Sequence, residues 1–250
     1  MASLTLDDVP AKQLAQRWGV PQAGVFRRLG STFDAIHDLG AQGAPHGTVV
    51  LAEEQTAGRG RGGRTWQSPV GGVWLGVLLR PSRAELGAVS LRIGLVVADV
   101  ADDLARRPAA QLKWPNDVLC DDRKLAGILC EGRWQGDALQ WLAVGVGINV
   151  ANEIPPAVRA TAVALAEIVP GVRRIDVLDR LVPALPQIMT HSGVLTESES
   201  AAFAARDWLR GRLLRAPVYG RACGVRADGA LLVEGQGGTI GVREGHVELA

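Results

Sequence analysis

The 250-residue sequence has three cysteines, two methionines, one tyrosine and three phenylalanines. Cys120, Cys130 and Cys223 stand far apart, are odd in number and form no CxxC pair. That pattern argues against a disulfide framework and a thiolate metal site, and predicts a reducing, cytoplasmic setting. Long apolar runs are missing too. The longest, around Leu91 to Ala101, is interrupted by Arg92 and Asp99 and is too short to span a bilayer. The opening MASLTLDDVP carries acids where a secretory signal would carry bases, so no export signal is expected. Charge of one sign is lacking as well: the net formal charge of +1 gives no global pull towards nucleic acid or membrane. A Walker loop (GxxxxGK[ST]) and a GxSxG elbow are absent. His37, His46, His191 and His246 show no metal-ligand spacing, and each is expected to be exposed or structural.

What is present suits a globular enzyme, with 47% apolar and 21% charged residues and length for one sizeable core plus a small module. Asp7, Asp8 and Pro10 supply a helix start before AKQLAQRW. Val25 to Leu29 looks extended, and Ser31 or Thr32 can cap a short helix through Leu39. TVVLAE (48–53) and VWLGVLL (73–79) read as buried strands flanking a glycine-rich loop. Ser90 to Leu104 has helical periodicity, with Asp99, Asp102 and Asp103 off its apolar face. Short extended pieces follow around Leu112-Lys113 and Val118-Leu119, then a turn at Asp121-Asp122 and a strand from Leu125. LQWLAVGVGINV (139–150) alternates glycine with apolar residues, as does a central strand closely approached by other groups. Helices are expected near Asp176–Met189 and Glu197–Leu209. Beyond Pro217 come four short β-like runs separated by glycine turns. The chain is therefore expected to be α+β, with a mixed-sheet domain flanked by helices over residues 1–211 and a small β-barrel over 212–250.

Three segments can carry chemistry. In Gly58-Arg59-Gly60-Arg61-Gly62-Gly63-Arg64, glycines bring backbone N–H groups close to an anion, and three guanidiniums can grip phosphate or carboxylate. Such a loop is expected to be mobile when empty and ordered by an anion. An RG-rich loop that binds RNA weakly is the alternative reading, and it loses ground because the loop directly follows a buried strand. Lys113, in QLKWPND, is a lone lysine in an apolar stretch that Pro115 keeps extended, placed to neutralise a carboxylate or charge growing on phosphate. It also reads as a surface lysine before a Pro-Asn-Asp turn. Around KLAGIL and GVGIN, small residues leave room for a ligand, with Asn149 polar at the end of an apolar run.

In this order and at these separations, EEQTAGRGRGGRTW, KWPNDV, RKLAGIL and GVGINV resemble the biotin–protein ligases, from about Gly30 to Asn152. The resemblance implies a class II aminoacyl-tRNA synthetase/biotin ligase-like sheet domain with an SH3-like C-terminal domain. It also implies ATP and biotin as substrates, Mg²⁺ with the ATP, and the biotin carboxyl carrier protein of a carboxylase such as acetyl-CoA carboxylase as acceptor. Biotin would lie against Ser31, Thr32, Phe33, Gln55, Arg59, Gly60, Arg61 and Lys113, with the adenylate against Arg59, Arg61, Arg64, Trp66 and Asn149. Lys113 and Arg59 would be the catalytic pair, with no metal ligands assigned. The family often has Asn where Phe33 stands, so only a backbone contact is expected to survive there. About thirty residues precede Ser31, too few for the DNA-binding domain of some relatives, so no specific DNA binding is expected. A homodimer through sheet edges stays open. A lipoate ligase or octanoyltransferase is the neighbouring alternative, and the GRGR loop with KWPND favours biotin.

Overall fold

A computed structural model describes residues 4–80, 86–190 and 193–250. The chain opens with a hairpin of β1 (Thr5–Leu6) and β2 (Val9–Pro10), turned by Asp7 and Asp8 at φ 47° and 72°. Helix α1 (Ala11–Trp18) starts behind Pro10 with no side-chain cap. The expected capping by Asp7 and Asp8 is therefore replaced. The Asp7 carboxylate instead accepts from the Arg174 guanidinium and the Ile175 N–H, pinning the N-terminus to a distant helix. Gly19, at φ 66°, ends α1 in the left-handed conformation that glycine adopts without strain.

Next come β3 (Ala23–Leu29), α2 (Thr32–Ala41), β4 (Thr48–Gln55), β5 (Val73–Leu79) and α3 (Val89–Ala105). β6 (Ala110–Lys113), β7 (Asp117–Cys120), β8 (Arg123–Gln135) and β9 (Ala138–Ile148) follow. Together the strands make a seven-stranded sheet in the order β3-β4-β5-β9-β8-β7-β6, parallel only between β3 and β4. Strand periodicity sorts its side chains. Val73, Leu75, Val77 and Leu79 of β5 join the main core with α1, α3 and α4 (Arg174–Ala184). Leu78 of β5 joins Phe33, Ile36, Val50 and Ala143 in a second cluster under α2. The helices thus cover both faces. A 3₁₀ turn over 186–190 succeeds α4, where one helix to Met189 was expected, because Pro183 and Pro186 interrupt the pattern.

α5 (Glu197–Arg206) starts at a capping box, in which Thr196 Oγ1 accepts from Glu199 N and Glu199 accepts from Thr196 N. Arg92, only 3% exposed in the apolar stretch of α3, is matched there by Glu199 at 2.6 Å. Asp99 and Asp102, on the same helix, meet Arg206.

The last strands, β10 (Leu213–Ala216), β11 (Gly220–Val225), β12 (Leu231–Gly235), β13 (Gly238–Val242) and β14 (Glu248–Leu249), form an antiparallel sheet ordered β13-β12-β11-β10-β14. The expected barrel is an open sheet, consistent with an SH3-like domain. Its pairing ends at β13 on one side and at the two-residue β14 on the other, with a register shift where β10 meets β14. Leu214, Ala222, Leu231, Val233 and Val247 of this region belong to the same apolar cluster as α3.

Candidate active site

Glycines on one face of the large sheet make the site possible. Gly76 pairs with Gly145, and Gly147 pairs with Gly127. A Cβ at Gly147 would stand 2.7 Å from the Trp66 indole, and one at Gly127 2.9 Å from it. At Gly145 a Cβ would press on Phe33 at 3.0 Å, and at Gly76 on Ile36 and the Thr32 carbonyl. The bare strands therefore let Trp66, Phe33 and α2 come close, and beside them a cavity of about 580 Å³ remains. That volume lies within the usual range for a small-molecule site.

Ser31, Thr32, Phe33, Gln55, Arg59, Gly60, Arg61, Arg64, Trp66, Lys113 and Asn149 all line this one cavity. They come from five separate places in the chain. Ser31 caps α2 by accepting from the Phe33 N–H, so the backbone donor expected to serve a ligand at Phe33 is already engaged. The Thr32 N–H and hydroxyl both donate to Gln55 Oε1, at 2.8 and 3.0 Å, while Gln55 Nε2 donates to Ser68 Oγ at 2.7 Å. This chain ties the start of α2 to the end of β4.

The glycine–arginine loop is closed by bridges between Gln55 and Ser68 and between Arg59 and Thr65. Gly60 N donates to the Arg64 carbonyl at 2.7 Å, and Gly62 and Gly63 turn the chain at φ 66° and 74°. The loop thus has internal hydrogen bonds of its own. Arg59 donates to Asp34 at 2.6 Å, lies 3.8 Å from Glu131, and stacks over Phe33 at 5.3 Å. The hydrogen bond that Arg59 donates to Asp34 raises the Arg59 pKa. Arg61 and Arg64 meet no carboxylate among the described residues; Arg61 donates to the Gly245 carbonyl at 2.9 Å, and Arg64 lies 3.2 Å from His246 Nδ1. Their charge stays available to an anion.

Lys113 ends β6, and a turn over 114–116 with a cis Trp114–Pro115 peptide leads into β7. Asn116 fixes that turn, its amide donating to the Ile128 carbonyl while its own carbonyl accepts from Ile128 N. Burial pulls the Lys113 ammonium below the usual lysine range, opposed by Asp117 and reinforced by Lys124, Arg212 and Arg64. Asp117 is itself engaged by Lys124 at 2.7 Å. Asn149, 6% exposed, contacts the Lys124 carbonyl and Asn152. The Trp66 Nε1–H is buried with no hydrogen-bond partner among the described residues, leaving a donor for a ligand to use.

Several lining residues escape the sequence motifs: Trp74, the 154–162 segment, and Gly245 to Val247 from the C-terminal region. His246 is exposed, as expected of the histidines, and it also lines the cavity; nothing near it in sequence marks that, because it reaches the site across the fold. His37 is partly buried beside Phe33 and Trp141, which fits a structural role. His191 lies outside the described residues. Among the described residues no group of three or more His, Cys, Asp or Glu is placed to hold a metal.

The cavity gathers Arg59, Arg61, Arg64, Lys113 and Lys124 against Asp117, together with the apolar groups of Phe33, Trp66 and Leu129. Fold and site together define a protein that takes an anion with an apolar body and keeps cations beside it. The chain belongs to the Biotin/lipoate A/B protein ligase family, which residues 25–149 match. It is 34% identical to the biotin–[acetyl-CoA-carboxylase] ligase of Mycobacterium tuberculosis, over 92% of this chain and 89% of that one. Against the bifunctional ligase/repressor BirA of Bacillus subtilis the identity is 33%, over 88% of this chain and 72% of the relative. The biotin protein ligase of Aquifex aeolicus, solved with biotin and ATP, superposes with a TM-score of 0.79. There the identity is 26%, over 92% of this chain and all of that one. Among the described residues no helix is long and apolar enough to cross a membrane.

Proposed function

We propose that this chain is an ATP-dependent biotin–protein ligase that acts on the biotin carboxyl carrier protein of a carboxylase such as acetyl-CoA carboxylase, in the cytoplasm. A biotin carboxylate oxygen bonds to the α-phosphorus of ATP and the bond to the β-phosphate bridging oxygen breaks. Biotinyl-5′-AMP and pyrophosphate result. The uncharged amine of a carrier lysine then attacks the anhydride carbonyl, AMP leaves, and the amine loses a proton as the amide forms.

One observation carries the reading: the arginine loop, Lys113 and the apolar groups of Phe33, Trp66 and Leu129 line a single cavity, so a ring-and-chain acid and a nucleotide phosphate can meet there. In this reading Ser31, Thr32 and Gln55 face the biotin head, with Phe33, Gly60 and Arg61 beside it. Trp66 and Asn149 face the adenylate. Arg59, Arg61 and Arg64 screen phosphate charge so that one anion can approach another. Lys113 holds the carboxylate and the charge that grows at the α-phosphate, without acting as a nucleophile. Closure of the loop would keep water from the anhydride. Mg²⁺ accompanies ATP as its counter-ion, and no step is assigned to it. The reading includes no repressor role, in keeping with the near-neutral charge.

The test is incubation of the chain with radiolabelled biotin or lipoate, Mg-ATP and a carrier domain. Biotin transfer is expected and lipoate transfer is not. If neither acid gives an adenylate or a labelled carrier, the reading fails. Specific binding of an operator fragment at physiological salt would overturn the absence of a repressor role.

A further inference from the structure

Trp208, in the turn that follows α5, is outside every motif and does not line the cavity. Its indole nevertheless lies 5.0 Å from the Lys113 ammonium and 3.9 Å from the Arg212 guanidinium, both within cation–π range. The placement is built. Trp208 N donates to the Leu112 carbonyl at 2.9 Å, next to Lys113, and Asp207 bridges to Leu112 in parallel register. The indole N–H donates to Asp122 Oδ1 at 2.5 Å, and Arg212 closes the group by lying 3.6 Å from Asp122 and donating to the Trp208 carbonyl at 2.7 Å.

The charges around Lys113 give this ring a purpose. Asp117, from β7, is bound to Lys124 of β8, and Arg64 of the loop and Arg212 beyond α5 repel the ammonium. Asp122 is occupied by the indole. Among the described residues the Lys113 ammonium makes no ion pair, and the Trp208 ring is what meets it. A protein carboxylate in that position would fix the lysine but would compete with an incoming carboxylate. An aromatic face attracts a cation through its quadrupole and leaves the full charge for the ligand.

We propose that Trp208 is the positioning residue for Lys113, holding its ammonium by the face of the ring so that it is ordered yet unneutralised when a substrate carboxylate arrives. This rests on the ligase reading above, and the experiment separates the two. In the full chain, biotinyl-AMP formation would be measured for wild type, Trp208→Leu and Trp208→Phe, with kcat and KM resolved for biotin and ATP across alkaline pH. Trp208→Leu is expected to lose about tenfold in kcat with the KM for ATP within twofold. Its alkaline limb should move down by about half a pH unit, because loss of the ring disfavours the charged lysine. Trp208→Phe keeps a ring face and should recover most of the rate and the limb. Wild-type kcat in Trp208→Leu would overturn the proposal. So would equal losses in both variants with an unmoved limb, which would mean that the indole only braces the turn through Asp122. If Trp208→Leu is unfolded by circular dichroism, Trp208→Phe and Trp208→Tyr decide instead. Near-wild-type limbs in both support the ring, and a limb lost in either overturns it. An inactive wild-type chain would strike the ligase reading rather than this one.

Discussion

Lys113 shows how one side chain can be prepared by its surroundings. Burial already disfavours its charge, so the ammonium gains most when an anion reaches it. Lys113→Ala should fold as wild type, with an unchanged thermal midpoint, and lose adenylate formation by at least about a hundredfold, as removal of a preorganised charge does. Wild-type rates in that variant would remove Lys113 from the chemistry. Gly147 makes the complementary case. Its missing Cβ is what lets the Trp66 indole lie on β9. Gly147→Ala should displace Trp66 and cost about 1–3 kcal/mol of stability, the usual range for overpacking. A raised KM for ATP with little change in the KM for biotin would accompany it, read by steady-state kinetics. At this scale the sequence is legible where a residue type is rare in its context: a lone lysine in an apolar stretch, or arginines among glycines. His246 and Trp208 carry no such contrast. Their importance lies in what they touch, and both touch residues more than ninety positions away.

The elements divide in the same way. β5, α3 and β9 can be read almost to their ends, because buried alternation and helical periodicity are local signals. The start of α1 cannot, since Asp7, which looks like a cap, is held by Arg174 far along the chain. Nor can the open edge of the C-terminal sheet, which depends on pairing between strands rather than on any one strand. α5 adds an energetic test. Its Thr196–Glu199 box fixes the helix whose end delivers Trp208 to β6. Thr196→Ala removes one cap and should lower unfolding free energy by about 1 kcal/mol, seen as a shifted urea midpoint with unchanged slope. An unchanged midpoint would mean that tertiary packing alone sets this helix.

Across the whole molecule, acid stability follows from how the carboxylates are held. The Arg226 hydrogen bond brings Asp228 down to about 2, and arginine hydrogen bonds likewise lower Asp176, Asp179 and Glu248. A backbone hydrogen bond from Ala164 chiefly lowers Glu167. A carboxylate whose folded pKa is depressed stabilises the fold above its ordinary pKa, and that help is lost as pH falls through the depressed value. Asp99 and Asp207, raised by burial, work the other way and are fewer. The thermal midpoint should therefore be level near neutrality and fall steadily below about pH 4. A midpoint that rose on acidification would show that Asp99 and Asp207 dominate. The arginine loop has a consequence of another kind. Its ends are already joined by the Gln55–Ser68 and Arg59–Thr65 bridges, so it behaves as a short tether between fixed posts. Doubling the tether's length between those posts would cost only about 0.6 kcal/mol in closure entropy. The guanidiniums, however, would be diluted over a larger volume, and their effective concentration at the phosphates would drop with it. The brevity of the loop is thus a setting of local arginine concentration, fixed by two backbone bridges that need never touch a ligand.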